Sequence, residues 1–274
     1  MQRKPQTILF VAVLAMAVTA GAGCDKLRAR DKLNKGVQAY KSGQTDAAIE
    51  DFKQAKEYDP NLKTARLYLA TAYSAQYIPG APSPENIRNG EQAKQEFMEI
   101  LQNDPKNLSA IDGIGSILYN MGGTPFDVAK MEESKTYHEK HIAISPSDPE
   151  PYYWIGVIDW TLAFRGNHEM RQDYNKTAKK PIKDTDTMPT ALAAAFQQKY
   201  GATVDEGITD LKKAMDLRPD YDDAMAYLNL LYRQKADMEA TPEARDADLK
   251  EADDLVEQVK AIKQKKMSAP TPTS

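Results

Sequence analysis

His138 and His141, with Glu139 between them, are the residues in this chain whose types and spacing come nearest to a metal site. On a helix, residues i and i+3 share a face, so the two imidazoles could meet one ion. A zinc site takes three or four protein ligands, and the sequence supplies no third one nearby, because His168 stands apart. The lone cysteine, Cys24, excludes disulfide scaffolds, Cys-based zinc sites and CxxC redox chemistry, all of which need two thiols. No Gly-rich phosphate loop, no Gly-x-Ser-x-Gly and no His-Glu-x-x-His occurs. No catalytic residue, metal ligand or cofactor is therefore assigned, and the chain reads as a non-enzyme. A second cluster is aromatic: Tyr152-Tyr153-Trp154, Trp160 and Phe164 carry both tryptophans of the chain. Such a stripe fits core packing, and it equally fits a surface that grips a partner.

The elements that position these residues belong to a water-borne body. At 274 residues, with 41% hydrophobic and 28% charged residues, the chain can bury a sizeable core. Two of its 36 basic residues and none of its 40 acidic ones precede Cys24, which leaves the remainder at −6. A mildly acidic body without a basic face argues against nucleic acid as a partner.

The first 23 residues read as an address. Arg3 and Lys4 form a positive start, Ile8 to Ala20 is an unbroken apolar run, and Gly21-Ala22-Gly23 leads into Cys24. Thirteen residues span about 20 Å as a helix, too short for a stable membrane crossing. The layout resembles a bacterial lipoprotein signal, although Gly21 stands where leucine is usual. That resemblance implies cleavage before Cys24, lipid on its thiol, and a body anchored to a membrane of the cell envelope and facing the periplasm. Cleavage after Ala22 is the alternative, which would release a soluble periplasmic protein.

Internal repeats are marked by prolines. Pro60, Pro105, Pro146 and Pro219 each close an amphipathic stretch, and the residues 12, 8 and 5 positions before them recur as small, large and small-to-medium. Before Pro60 these are Ala48, Phe52 and Ala55; before Pro105 they are Ala93, Phe97 and Ile100. With Gly36 and Gly43 in register, the pattern resembles the tetratricopeptide repeat. The resemblance implies an all-α superhelical solenoid whose helical hairpins stack to build one core. The 73-residue gap from Pro146 to Pro219 is too long for one repeat. Divided at Pro181, it gives six hairpins, the fourth the most degenerate. Ser83-Pro84-Glu85, Thr124-Pro125-Phe126 and Thr241-Pro242-Glu243 read as helix caps followed by a proline at the first helical position. The organisation is thus a signal over 1–23, a tether over 24–28, an array over 29–264 and a disordered tail over 265–274.

In the family, the concave groove is lined from the first helix of each hairpin. The resemblance places Tyr40, Tyr119, Asn120, Tyr153, Trp160 and Arg233 there, with Glu150, Val157 and Thr161 beside them. The basic clamp that some members use for a chaperone carboxylate is missing, since Leu33 and Val37 occupy its places. The resemblance therefore implies a scaffold that binds envelope proteins or peptides in its groove. The rival reading is a soluble periplasmic carrier of a ligand or metal on the His138 and His141 face.

Overall fold

A computed structural model describes residues 6–268, with side chains from Cys24 on. Ten helices and no strand lie among the described residues, and the chain divides into two compact units at Pro125. The signal assigned to 1–23 lies outside the residues whose side chains are described. Among the described residues, no helix is long and apolar enough to cross a membrane.

The first unit holds α1 (Gln6–Lys41), α2 (Thr45–Tyr58), α3 (Lys63–Gln76), α4 (Pro84–Asn103) and α5 (Leu108–Gly123). Helix α1 runs unbroken through Cys24–Arg28, so the segment read as a tether is helical, and Cys24 is exposed on it. Gly43, at φ +73°, makes the three-residue turn into α2. Where the pair crosses, a Cβ on Gly36 would lie 2.6 Å from Cδ1 of Phe52, so glycine lets this ring close the gap. Phe52 is fully buried and stacks on Tyr68 with ring centroids 5.5 Å apart. Farther along, Glu96 of α4 is buried and accepts from Arg66 of α3 at 3.0 Å and from Lys56 of α2 at 2.5 Å. That ion triad ties three helices together on one carboxylate.

The second unit holds α6 (Val128–Ile144), α7 (Pro149–Thr177), α8 (Thr190–Leu217), α9 (Asp222–Ala236) and α10 (Pro242–Ser268). The expected fourth and fifth hairpins do not exist separately, because α7 and α8 are single helices of 29 and 28 residues packed along each other. Within α7, Gly166 and Asn167 serve packing. Gly166 makes room for the Tyr200 ring, and Asn167 is buried, donating to Gln234 and Asp237 at 2.9 Å each. Arg171, with 2% of its surface exposed, donates to Asn167 Oδ1, to the carbonyls of Lys183 and Asp186, and to Asp237 Oδ2. Pro181 therefore sits in a loop strapped to α7 by a buried guanidinium whose five donors are largely used.

Two boundaries differ from expectation. Thr124 ends α5, and α6 is capped by Asp127, whose carboxylate accepts from the Lys130 amide at 3.2 Å. Helix α10 continues to Ser268, four residues into the segment assigned to the tail, and 269–274 lie outside the described residues. Ser83 and Thr241 cap as expected, accepting from the amides of Asn86 and Ala244.

Candidate functional site

The histidine pair that invited a metal lies inside the second unit. His138 and His141 are 1% and 3% exposed, and His138 stacks against Trp154 with centroids 5.9 Å apart. Burial, with His141 nearby, lowers the His138 pKa to about 4. A neutral ring shut between helices is a packing element, as its repeat position implies.

On the same face of α6, one turn earlier, sits a group that motif reading missed. Lys135 Nζ lies 2.8 Å from Asp159 Oδ1 on α7 and 2.8 Å from Glu206 Oε2 on α8. Oxygens of Asp159, Glu206 and Asp210 all fall within 4.8 Å of one another. Three carboxylates at that range resemble a hard-cation cage. Here the Lys135 ammonium already is the cation, in direct contact with two of them. One ammonium among three carboxylates leaves an excess of negative charge, which a proton relieves. Burial raises the Asp159 pKa to about 7 against the pull of Lys135, and burial with Glu206 raises that of Asp210 to about 6. The signal for this cluster was present in the sequence. Asp159 occupies the position 13 residues after a repeat proline, where Tyr73, Leu118 and Tyr232 stand in the other hairpins.

The groove positions separate into distinct kinds. In the first unit, a groove of about 360 Å³ is lined by α3 and α5, with Thr71, Ser74, Ser109, Ser116 and Asn120 as its polar groups and Phe97 among its apolar ones. Asn120 is one of its lining residues. Tyr40 is half-buried with its side chain against the core of that unit, and Tyr119, also half-buried, does not line the groove. The Ser74 hydroxyl is buried and finds no hydrogen-bond partner among the described residues.

In the second unit, α7 and α9 pack side by side and present a ladder of rings. Tyr153 lies 5.8 Å from Tyr227, Tyr227 lies 5.3 Å from Trp160, and Trp160 stacks on Phe164 at 5.1 Å. Tyr153 and Trp160 are half-buried against the core cluster, while Phe164 keeps 44% of its surface exposed. Trp160 is therefore core on one side and open on the other, and both readings of the aromatic stripe apply. Val157, between them, is fully core at 2% exposure. Arg233 is held within its own hairpin, donating to Asn229 Oδ1 at 2.9 Å and to Asp253 Oδ1 at 2.7 Å, which uses much of its capacity for a ligand. Glu150 is likewise engaged, accepting from Arg218 at 2.7 Å and from the Tyr221 hydroxyl at 2.8 Å, and so fastens the start of α7 to the α8–α9 turn.

Residues 33–62 match the tetratricopeptide repeat family. Among solved structures, the chain is similar to MamA residues 41 to the end from Desulfovibrio magneticus RS-1, with a TM-score of 0.54 and 16% identity. That match covers 87% of this chain and 96% of the other. A crystal structure of MamA protein matches with a TM-score of 0.56 and 16% identity over 89% and 98% of the two chains. No curated protein matched. The fold is an all-α array of the tetratricopeptide type, and likeness at this identity speaks for the fold alone.

Proposed function

We propose that this chain is a membrane-anchored interaction scaffold of the bacterial cell envelope, which binds partner proteins or peptides on the face formed by its first helices. The observation that carries the reading is the ring ladder from Tyr153 to Phe164. Large aromatics that are half-seated on a core and half-open keep their rotamers fixed, so a partner that covers them gains contact area at little entropic cost. The hydroxyl-lined groove of the first unit adds uncharged donors and acceptors suited to a polypeptide backbone, with the Ser74 hydroxyl unpaired among the described residues. Anchoring rests on the lipoprotein-like signal, with the modified residue at Cys24 on an exposed helix surface. Two acyl chains there hold a protein to a bilayer stably.

Crosslinking in cells followed by capture tests the scaffold. Phe164→Ser removes a ring that is 44% exposed and stacked on Trp160, so stability should fall by no more than about 1.5 kcal/mol while capture falls at least tenfold. Trp160→Ala should lose capture and also some stability. Undiminished capture by both folded variants removes the ladder from the binding surface. Cys24→Ser should shift the protein from the membrane fraction to the soluble one, and a wild-type chain of unmodified intact mass refutes the anchor.

A further inference from the structure

A cavity of about 250 Å³ in the second unit lies between the start of α8 and the turn from α9 into α10, and none of the ring-ladder residues lines it. Its apolar wall is Met188, Ala193 and Met238, all buried at or below 7% exposure. Its polar wall holds Thr187, Gln197 and Arg245.

Arg245 differs from three of the other four arginines of this unit; the fourth, Arg165, is exposed and lies over the Phe126 ring. Arg171, Arg218 and Arg233 each donate to a carboxylate at 2.9 Å or closer. Among the described residues, the only carboxylate within 4.0 Å of the Arg245 guanidinium is that of its chain neighbour Asp246, at the 4.0 Å limit. Its Nε is buried with no hydrogen-bond acceptor among the described residues. The side chain as a whole is half-buried, and a half-buried cation without a close carboxylate favours an anion at its terminal nitrogens. Two helix N-termini add to the demand: Thr190 opens the 28-residue α8 and Pro242 opens the 27-residue α10, and both residues line the cavity. No side chain caps α8, because its cap residue is Pro189. Both dipole ends favour negative charge at this spot. One wall residue is acidic, Glu239, and burial, with the Glu239 charge, raises the pKa of neighbouring Asp248.

We propose that this cavity binds a small organic carboxylate with a short unbranched apolar body. The carboxylate meets the Arg245 guanidinium, which accommodates it with two parallel hydrogen bonds. The apolar body lies on Met188 and Met238, whose flexible thioether chains accept an aliphatic group without a fixed shape. A volume just under the usual range for ligand pockets limits the occupant to roughly ten non-hydrogen atoms. This site is independent of partner capture on the ring ladder.

The probe is hexanoate, titrated at low salt into the full chain carrying ¹³C-methyl methionine. The Met188 and Met238 methyl signals, assigned through Met188→Leu and Met238→Leu, should shift saturably with a Kd of about 1 mM, an ordinary affinity for a ligand of this size. Signals of methionines that do not line the cavity, such as Met98, should stay in place. Arg245→Gln should weaken binding at least tenfold while leaving the remaining methionine spectrum unchanged. Hexanamide, equal in size and uncharged, should bind at least tenfold more weakly than hexanoate, which tests the carboxylate on the wild-type chain should Arg245→Gln fail to fold. Shifts that do not saturate by 20 mM, or equal titrations with hexanoate and hexanamide, overturn the proposal.

Discussion

Gly166→Ala separates the long α7 from the two-hairpin reading of the same segment by the sign of its effect. In the continuous helix, a Cβ on Gly166 would overlap the Tyr200 ring and lie 2.5 Å from its hydroxyl oxygen. Two terms then oppose each other. Alanine in a helix interior is better than glycine by about 0.5–1 kcal/mol. Overpacking against a half-buried ring costs about 1–3 kcal/mol. Gly166→Ala should therefore destabilise the second unit by about 1–2 kcal/mol. In a Tyr200→Ala background the clash is gone and the propensity gain stands alone, so the same substitution should stabilise by about 0.5–1 kcal/mol. The cycle isolates a coupling of about 1–3 kcal/mol between residues 34 positions apart. Urea unfolding followed by tryptophan fluorescence suits the measurement, because Trp154 and Trp160 both lie on α7 and report this helix. Repeat arrays can lose cooperativity, so the comparison is of midpoints at unchanged slope. If Gly166 instead made a turn, alanine would destabilise in both backgrounds. A common sign in the two therefore refutes the fused hairpin.

Two further outcomes follow from the buried groups. Phe52→Ala, at a fully buried crossing, should cost about 3–5 kcal/mol in denaturant unfolding of the first unit, and a loss below about 1 kcal/mol would show that this ring is not interhelical. Between pH 4.5 and 6.5 the buried Asp159 and His138 act in opposite directions on stability. Asp159, with its pKa raised to about 7, holds a proton in the folded state that the unfolded chain releases, so its contribution falls as pH rises. His138, lowered to about 4, stays neutral in the fold while the unfolded chain takes up a proton, so its contribution grows as pH rises. Asp159→Asn should therefore make stability climb more steeply with pH than in the wild type, and His138→Phe should tilt it the other way, each by up to about 1.4 kcal/mol per pH unit; parallel profiles for the three proteins would count against both assignments.

The repeat register was legible because it is local and pairwise. Gly36, Phe52 and Pro60 each report one event, a crossing or a helix end, settled by residues within the same hairpin. His138 and His141 stand 8 and 5 positions before Pro146, the same register as Phe52 and Ala55 before Pro60, and all four are buried. The places where the pattern misled are those where a distant residue decides. Gly166-Asn167 has the composition of a turn, yet the chain continues as helix because Tyr200 fills the glycine's space and Gln234 and Asp237 accept from the asparagine, partners up to 70 residues away. Pro181 ends nothing on its own, since Arg171 holds the loop around it through two carbonyls. The groove residues show the same division. The repeat pattern fixes which positions a first helix turns toward its neighbours. It says nothing of whether Arg233 finds Asp253 on the next helix, or of whether Tyr227 seats Trp160 from below. Each departure from the repeat, Asp159 at an apolar position, Arg171 inside a helix or Arg245 without an acceptor, puts a charge where the pattern asks for packing or solvent. Two of these charges are compensated inside the chain, Asp159 by Lys135 and Arg171 by Asp237. Arg245 has only the Asp246 carboxylate, at 4.0 Å, and that asymmetry makes the cavity beside it the site to test.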